Sequence, residues 1–173
     1  LALFFDHPMV HPSAVAYQLK EKQMTQRLDY NAATPAGMKA LGGVYGHVMQ
    51  SGLPKVLVDL VYLRVSQING CAYCIDMHSR DLLKEGVTVD KLVLVPAWRE
   101  AGALFSAAER AALAWAETVT RVSDTGVPDA EYDAAASVFD QQQLADLTIA
   151  IGLMNAYNRM AISFRAVPAA AAQ

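Results

Sequence analysis

Apolar positions recur at helical spacing along almost the whole chain. Met38, Leu41, Tyr45 and Met49 fall three or four residues apart, which places them on one helix face. Thr34-Pro35 reads as a cap followed by proline at the first helical position, and Ser51-Gly52 as the stop, so a helix is predicted through Gln50. Its Gly42, Gly43 and Gly46 weaken it intrinsically and point to close packing against another helix. Pro54 opens the next segment, where apolar residues from Val56 to Ile68 leave almost no polar face; a helix of that kind is buried. Asn69-Gly70 breaks it. A further helix starts at Cys71 and reaches Glu85, with Gly86 as its C-terminal signal.

The second half repeats this grammar. Val89 to Val95 predicts a short helix stopped by Pro96. Ser106 with Glu109 forms a capping box ahead of a helix carrying Leu113, Trp115 and Val119. Pro128 to Phe139 predicts a shorter helix, and Asp140 with Gln143 caps a long one running to about Phe164. His11 to Asp29 is mostly polar and reads as a surface helix or arm. No convincing period-two pattern appears. The expectation is an all-α single domain of seven to eight helices, with an arm or surface helix over 1–30, the helical domain over 31–165 and a frayed Ala/Pro-rich tail over 166–173.

Composition narrows the class. At 173 residues, 54% hydrophobic and 18% charged, the chain can close a core without a disulfide or metal. A net charge of −3 provides no basic face, so nucleic acid is not an expected partner. Lys55, Asp59 and Arg64 interrupt the strongest apolar run, so no membrane span is expected. Leu1 to Phe5 lacks the basic flank of a secretory signal, which favours a reducing cytoplasm. In that compartment two close cysteines are more often catalytic or metal-binding than structural.

Both cysteines of the chain lie in Asn69-Gly70-Cys71-Ala72-Tyr73-Cys74-Ile75-Asp76-Met77-His78. Cys71, Cys74 and His78 share one helix face, with Cys71 in the first turn, where unpaired N–H groups and the helix dipole stabilise a thiolate. His78 stands one turn beyond Cys74. An ordinary thiol, with pKa about 8.5, is only a few per cent ionised at neutral pH, and a shift to about 6.5 makes the thiolate the majority form. Haem attachment fails because Ile75, not His, follows Cys74. Structural zinc lacks a fourth ligand nearby, although Asp59 or a distant His would complete it. Two inert buried cysteines with a capping histidine are the plainest alternative. A redox dithiol accounts best for the combination. Asp59, inside the apolar helix, is either paired with Lys55 one turn away or a base in a proton relay to the thiols.

At these residues the sequence resembles the AhpD-like alkylhydroperoxidases of the carboxymuconolactone decarboxylase superfamily. The resemblance rests on Cys71-x-x-Cys74-x-x-x-His78 with the upstream carboxylate Asp59, on the Ser66–Cys74 run, and on Pro96–Glu100, Glu109–Glu117 and Asn155–Arg159. It implies an all-helical antioxidant domain that reduces peroxides through a Cys71–Cys74 dithiol/disulfide cycle. His78 would be the relay histidine, and Asp59 stands where the family usually has Glu. Tyr73 stands where the namesake enzyme has a second histidine. The partners implied are a peroxide, an external dithiol or thioredoxin-like reductant, and further copies of the chain as a trimer or hexamer; no cofactor or metal is called for. Proximity to His78 favours Cys74 as the attacking sulfur, and the helix dipole favours Cys71. The other class of function is a redox-sensing or metal-binding helical module without peroxide turnover. Of the remaining histidines, His47 is expected to pack or sit at an interface. Asn155, Asn158 and Arg159, which interrupt the last apolar run, carry no catalytic role in this reading.

Overall fold

The computed structural model describes residues 25–171, so the arm expected over 1–30 lies outside the described residues except at its C-terminal end. Nine α-helices occur among the described residues: α1 (Tyr30–Ala33), α2 (Pro35–Gln50), α3 (Lys55–Asn69), α4 (Ala72–Lys84), α5 (Val89–Leu94), α6 (Ala107–Thr120), α7 (Val122–Thr125), α8 (Asp129–Ala136) and α9 (Gln141–Phe164). Every helix expected in this region forms, and α1 and α7 are single turns in addition. The fold is all-α, and no described helix is long and apolar enough to cross a membrane.

α3 is the axis of the domain. It packs against α4, α6 and α9, and its apolar residues divide between two buried groups. Leu57, Val58, Val61 and Val65 meet Leu147, Ile151 and Met154 of α9. Leu60 and Leu63 point the other way, toward Leu82, Val95, Trp98, Phe105 and Leu113. A helix apolar all round is thus covered all round within one chain. Arg64 of α3 donates to Glu117 of α6 at 2.7 Å; Glu117 also accepts from Trp98 Nε1 at 3.0 Å and from Arg99.

The capping boxes at Ser106–Glu109 and Asp140–Gln143 are both formed, with reciprocal bonds. Thr34 departs from the expectation. It makes no side-chain cap for α2 and instead ends α1, its N–H donating to Tyr30 O. The short helix α5 ends at Leu94, just ahead of Pro96 as expected, and Val95–Glu100 follows as a 3-10 segment kinked at Ala97 (φ −119°). Among the described residues, nothing lies within 4 Å of where a Cβ at Gly42, Gly43 or Gly46 would stand, so no described helix packs closely on them. The Ala/Pro-rich tail, expected to fray, forms a turn at Ala169–Ala171, and Ala170 N–H donates to Asp76 of α4 at 3.2 Å.

Candidate active site

The site is built where α3 ends and α4 begins. Gly70 adopts φ 71°, a left-handed conformation that glycine takes without steric cost. The turn then closes with Gly70 N–H bonded to Gln67 O at 3.3 Å and Cys71 N–H to Ser66 O at 2.9 Å, the paired pattern of a Schellman motif. Cys71 is therefore the last residue of that motif and also the N-cap of α4, its carbonyl accepting from Ile75 N–H at 2.9 Å. One tight turn thereby anchors Cys71 to α3 and brings it to the electropositive end of α4.

One helical turn on, Cys74 returns to the same side. The two sulfurs lie 2.9 Å apart, both as free thiols and both buried. They share protons unequally. The Cys74 thiol, then the free N–H groups of Cys74 and Tyr73 and the Asn158 side chain, stabilise a Cys71 thiolate against burial and pull its pKa down to about 7. Cys74 is pushed up, because it holds the proton facing Cys71 and is itself desolvated. Ser66 and Asn158 complete the surroundings of the pair. Asn158, 0% exposed, donates to Ser66 Oγ at 3.1 Å and to Met154 Sδ at 3.4 Å, and the Asn158 and Ser66 side chains favour ionisation of Cys74 against its burial.

Asp59 and His78 line the same cavity as Cys74. Asp59 Oδ1 is 3.6 Å from His78 Nδ1, longer than a direct hydrogen bond. Its other oxygen accepts from Lys55 Nζ at 2.8 Å, and Lys55 also reaches Glu85 at 3.0 Å. The two readings of Asp59 are thus not alternatives, since one carboxylate faces both the lysine and the histidine. Burial opposes its ionisation, but His78 and Lys55 together outweigh burial and hold it below the usual carboxylate range. His78 is 4% exposed and its ring lies 5.2 Å from that of Tyr62. Among the described residues, neither ring nitrogen has a hydrogen-bond partner.

Cys74, His78 and Asp59 all line one cavity of about 580 Å³, together with Tyr30, Tyr45, Tyr73, Tyr157, Met38 and Met77. Cys74, rather than Cys71, faces it. The arrangement provides a dithiol beneath an aromatic and thioether-lined chamber, with an unpartnered imidazole beside the nearer sulfur. Among the described residues no three His, Cys, Asp or Glu side chains converge to hold a metal. His47 stands elsewhere, 2.8 Å from the buried Asp146 of α9, as a packing contact.

Sequence reasoning missed Ser66 and Asn158 as members of the site. The available signal was Asn158 itself: an amide inside an apolar helix must be hydrogen-bonded when buried, and the Cys pair was the chemistry in need of donors.

Residues 35–118 match the Carboxymuconolactone decarboxylase family. The uncharacterized protein YdfG of Bacillus subtilis is 36% identical over 140 residues, covering 81% of this chain and 95% of that protein. The alkyl hydroperoxide reductase AhpD of Hyphomonas neptunium is 42% identical over a shorter stretch of 59 residues, 34% of this chain and 31% of that one. Among solved structures, an Agrobacterium tumefaciens protein of unknown function, provisionally described as an antioxidant defence protein AhpD, superposes with a TM-score of 0.80 at 35% identity. The match covers 83% of this chain and 98% of that one.

Proposed function

The chain belongs to the carboxymuconolactone decarboxylase family and has the AhpD-like fold, and on that premise we propose that it is a thiol-dependent peroxidase of the alkylhydroperoxidase type. The observation that carries the reading is the free Cys71–Cys74 pair, 2.9 Å apart, with Cys74 and the unpartnered His78 on the same cavity.

Cys74 is the attacking sulfur because it faces the cavity. At rest the negative charge sits on Cys71 and the proton on Cys74. As a peroxide enters, that proton crosses to Cys71 and the Cys74 thiolate attacks the O–O bond. A sulfenic acid forms on Cys74 and the leaving alkoxide takes a proton through His78. Cys71 then attacks the sulfenic sulfur and water departs, forming the Cys71–Cys74 disulfide. The net change is two electrons from the dithiol to the peroxide, giving an alcohol and water. An external dithiol or thioredoxin-like protein returns the two electrons by exchange through a mixed disulfide. Asp59, held ionised by Lys55, stabilises His78 when it carries a proton. The working form is a cytoplasmic homo-oligomer, a trimer or hexamer.

The test is peroxide consumption by metal-free protein with a small dithiol as donor, alongside a thiol count. The expected result is catalytic turnover and a fall from two free thiols to none per chain, with no intermolecular crosslink. Oxidation to the internal disulfide without turnover would favour the redox-sensing module, for which the burial of both sulfurs is the supporting observation. Retention of both thiols would overturn the dithiol cycle itself.

A further inference from the structure

Glu85, Lys55, Asp59 and His78 all line the cavity and run inward from its mouth. Side-chain exposure falls from 40% and 47% at Glu85 and Lys55 to 5% at both Asp59 and His78. Lys55 Nζ donates to Asp59 Oδ2 at 2.8 Å and lies 3.0 Å from Glu85 Oε1. Asp59 Oδ1 stops 3.6 Å short of His78 Nδ1, and among the described residues neither nitrogen of that ring is hydrogen-bonded. Helix electrostatics does not account for the outer pair. Lys55 is the first residue of α3, and Glu85 is the C-cap of α4. The macrodipole favours anions at a helix start and cations at a helix end, so each charge stands where the dipole opposes it. What the pair gains there is the contact with Asp59.

We propose that Lys55 is a positioning residue for His78: its ammonium, anchored on the outside by Glu85, draws one oxygen of Asp59 outward and keeps the carboxylate from closing a direct hydrogen bond on the imidazole. The inference rests on the peroxidase reading above, in which His78 passes a proton to the leaving alkoxide, and it names a further residue of that same site. A carboxylate at hydrogen-bond distance would trap a proton on the ring in a buried ion pair. At 3.6 Å Asp59 still attracts that proton, but the ring can release it. The gap exceeds an ordinary N–H···O bond by less than about 1 Å, so a small side-chain rotation closes it once the lysine is gone. The other titratable groups around Asp59 and His78 are Tyr30 of α1, Tyr45 of α2, Tyr62 of α3, Tyr73, Cys74 and Asp81 of α4, and Tyr157 of α9, with Cys71 behind Cys74. The substitutions below leave all of them in place.

The experiment follows the ring nitrogens of His78 by NMR in the reduced, 15N-labelled full chain as pH is varied, with no peroxide present. His78→Gln identifies the signals, and circular dichroism checks each variant's fold. In the wild type Nδ1 should carry no proton protected by a hydrogen bond. Lys55→Met keeps the length of the side chain and removes its charge. It should bring Asp59 onto the ring, fix a proton on Nδ1 and raise the imidazole midpoint by about one unit or more, a roughly tenfold tighter hold on the proton. Lys55→Arg, which keeps a charged donor, should restore the wild-type signals. Lys84→Met removes an equal charge from the last turn of α4 and should leave them unchanged. An unmoved midpoint in folded Lys55→Met overturns the proposal. So does an equal rise in Lys84→Met, which would show that net charge alone sets the ring. A protected Nδ1 proton already present in the wild type overturns it without any variant. None of these signals needs turnover. A chain showing them without peroxide reduction refutes the peroxidase reading only, and an active peroxidase whose imidazole ignores Lys55 refutes this inference only.

Discussion

The two sulfurs divide access and acidity between them. Cys71 takes the stabilisation of the α4 N-terminus, and Cys74 takes the cavity. A proton crossing 2.9 Å converts one state into the other. Because the Cys74 contact is the largest cause of the lowered Cys71 pKa, Cys74→Ala should move Cys71 back up toward the ordinary thiol range. In the wild type, alkylation should rise through about pH 7 and level off above it, because the thiolate is the reactive form. In Cys74→Ala the rise should shift to higher pH, and an unshifted profile would show that the helix end alone sets the acidity. His78 calls for a different design than a solvent-facing residue would. It is buried against Tyr62, so truncation to Ala would open a hole as well as remove a base. His78→Gln keeps most of the volume, and peroxide turnover should fall about 10²-fold or more if the imidazole moves a proton. Asp59→Asn should cost less, since its 3.6 Å contact with His78 lies beyond direct hydrogen-bond range. Steady-state rates with thermal melts separate the chemical loss from the structural one.

The decisive element is the junction of α3 and α4. A single left-handed residue, Gly70, lets α3 close its C-terminus and lets α4 start at once with Cys71 as its cap. Among the described residues a Cβ there meets no neighbour within 4 Å, so the penalty of an alanine is conformational. Gly70→Ala should cost about 1–2 kcal/mol in denaturant unfolding. It should also slow disulfide formation, because relieving the strain at Gly70 moves the first turn of α4 relative to Ser66 and Asn158. A full loss of stability with unchanged oxidation kinetics would show that the turn matters only for folding.

At the scale of the whole molecule, the surplus apolar surface is not where the hydrophobic pattern places it. α3, apolar on most faces, buries nine of its 15 residues among α4, α6 and α9. Among the described residues the helix with least cover is α2, where Val48 alone of 16 residues is buried and Val44 and Tyr45 remain 37% and 40% exposed. Its glycines meet no described neighbour and leave room for a close approach. Closed symmetry is the usual way to cover such a face, and Tyr45 ties it to the cavity it borders. Light scattering at micromolar concentration should give a mass near three or six times the 18.7 kDa of one chain, and a mass of one chain would refute the oligomer. Val44→Glu, on the exposed face, should shift the assembly toward monomer.

What was legible in the sequence was local. Helices followed from apolar spacing and from caps such as Ser106–Glu109 and Asp140–Gln143, because both bonds of a capping box are made within four residues. The Cys71-x-x-Cys74 spacing likewise implied the sulfur pair at a helix start. Only the tertiary structure decided which groups meet them. It turned Cys74 rather than Cys71 to the cavity, set Asp59 between Lys55 and His78, and brought Asn158 to Asn69 and Ser66, 89 and 92 positions away, at the turn that carries Cys71. Those contacts depend on how α9 lies across α3, a packing outcome shared by dozens of side chains, and no spacing along the chain encodes it. The same holds for α2: its apolar pattern predicted a buried helix face, and whether another element covers that face is settled by the space left after α3, α4, α6 and α9 have packed.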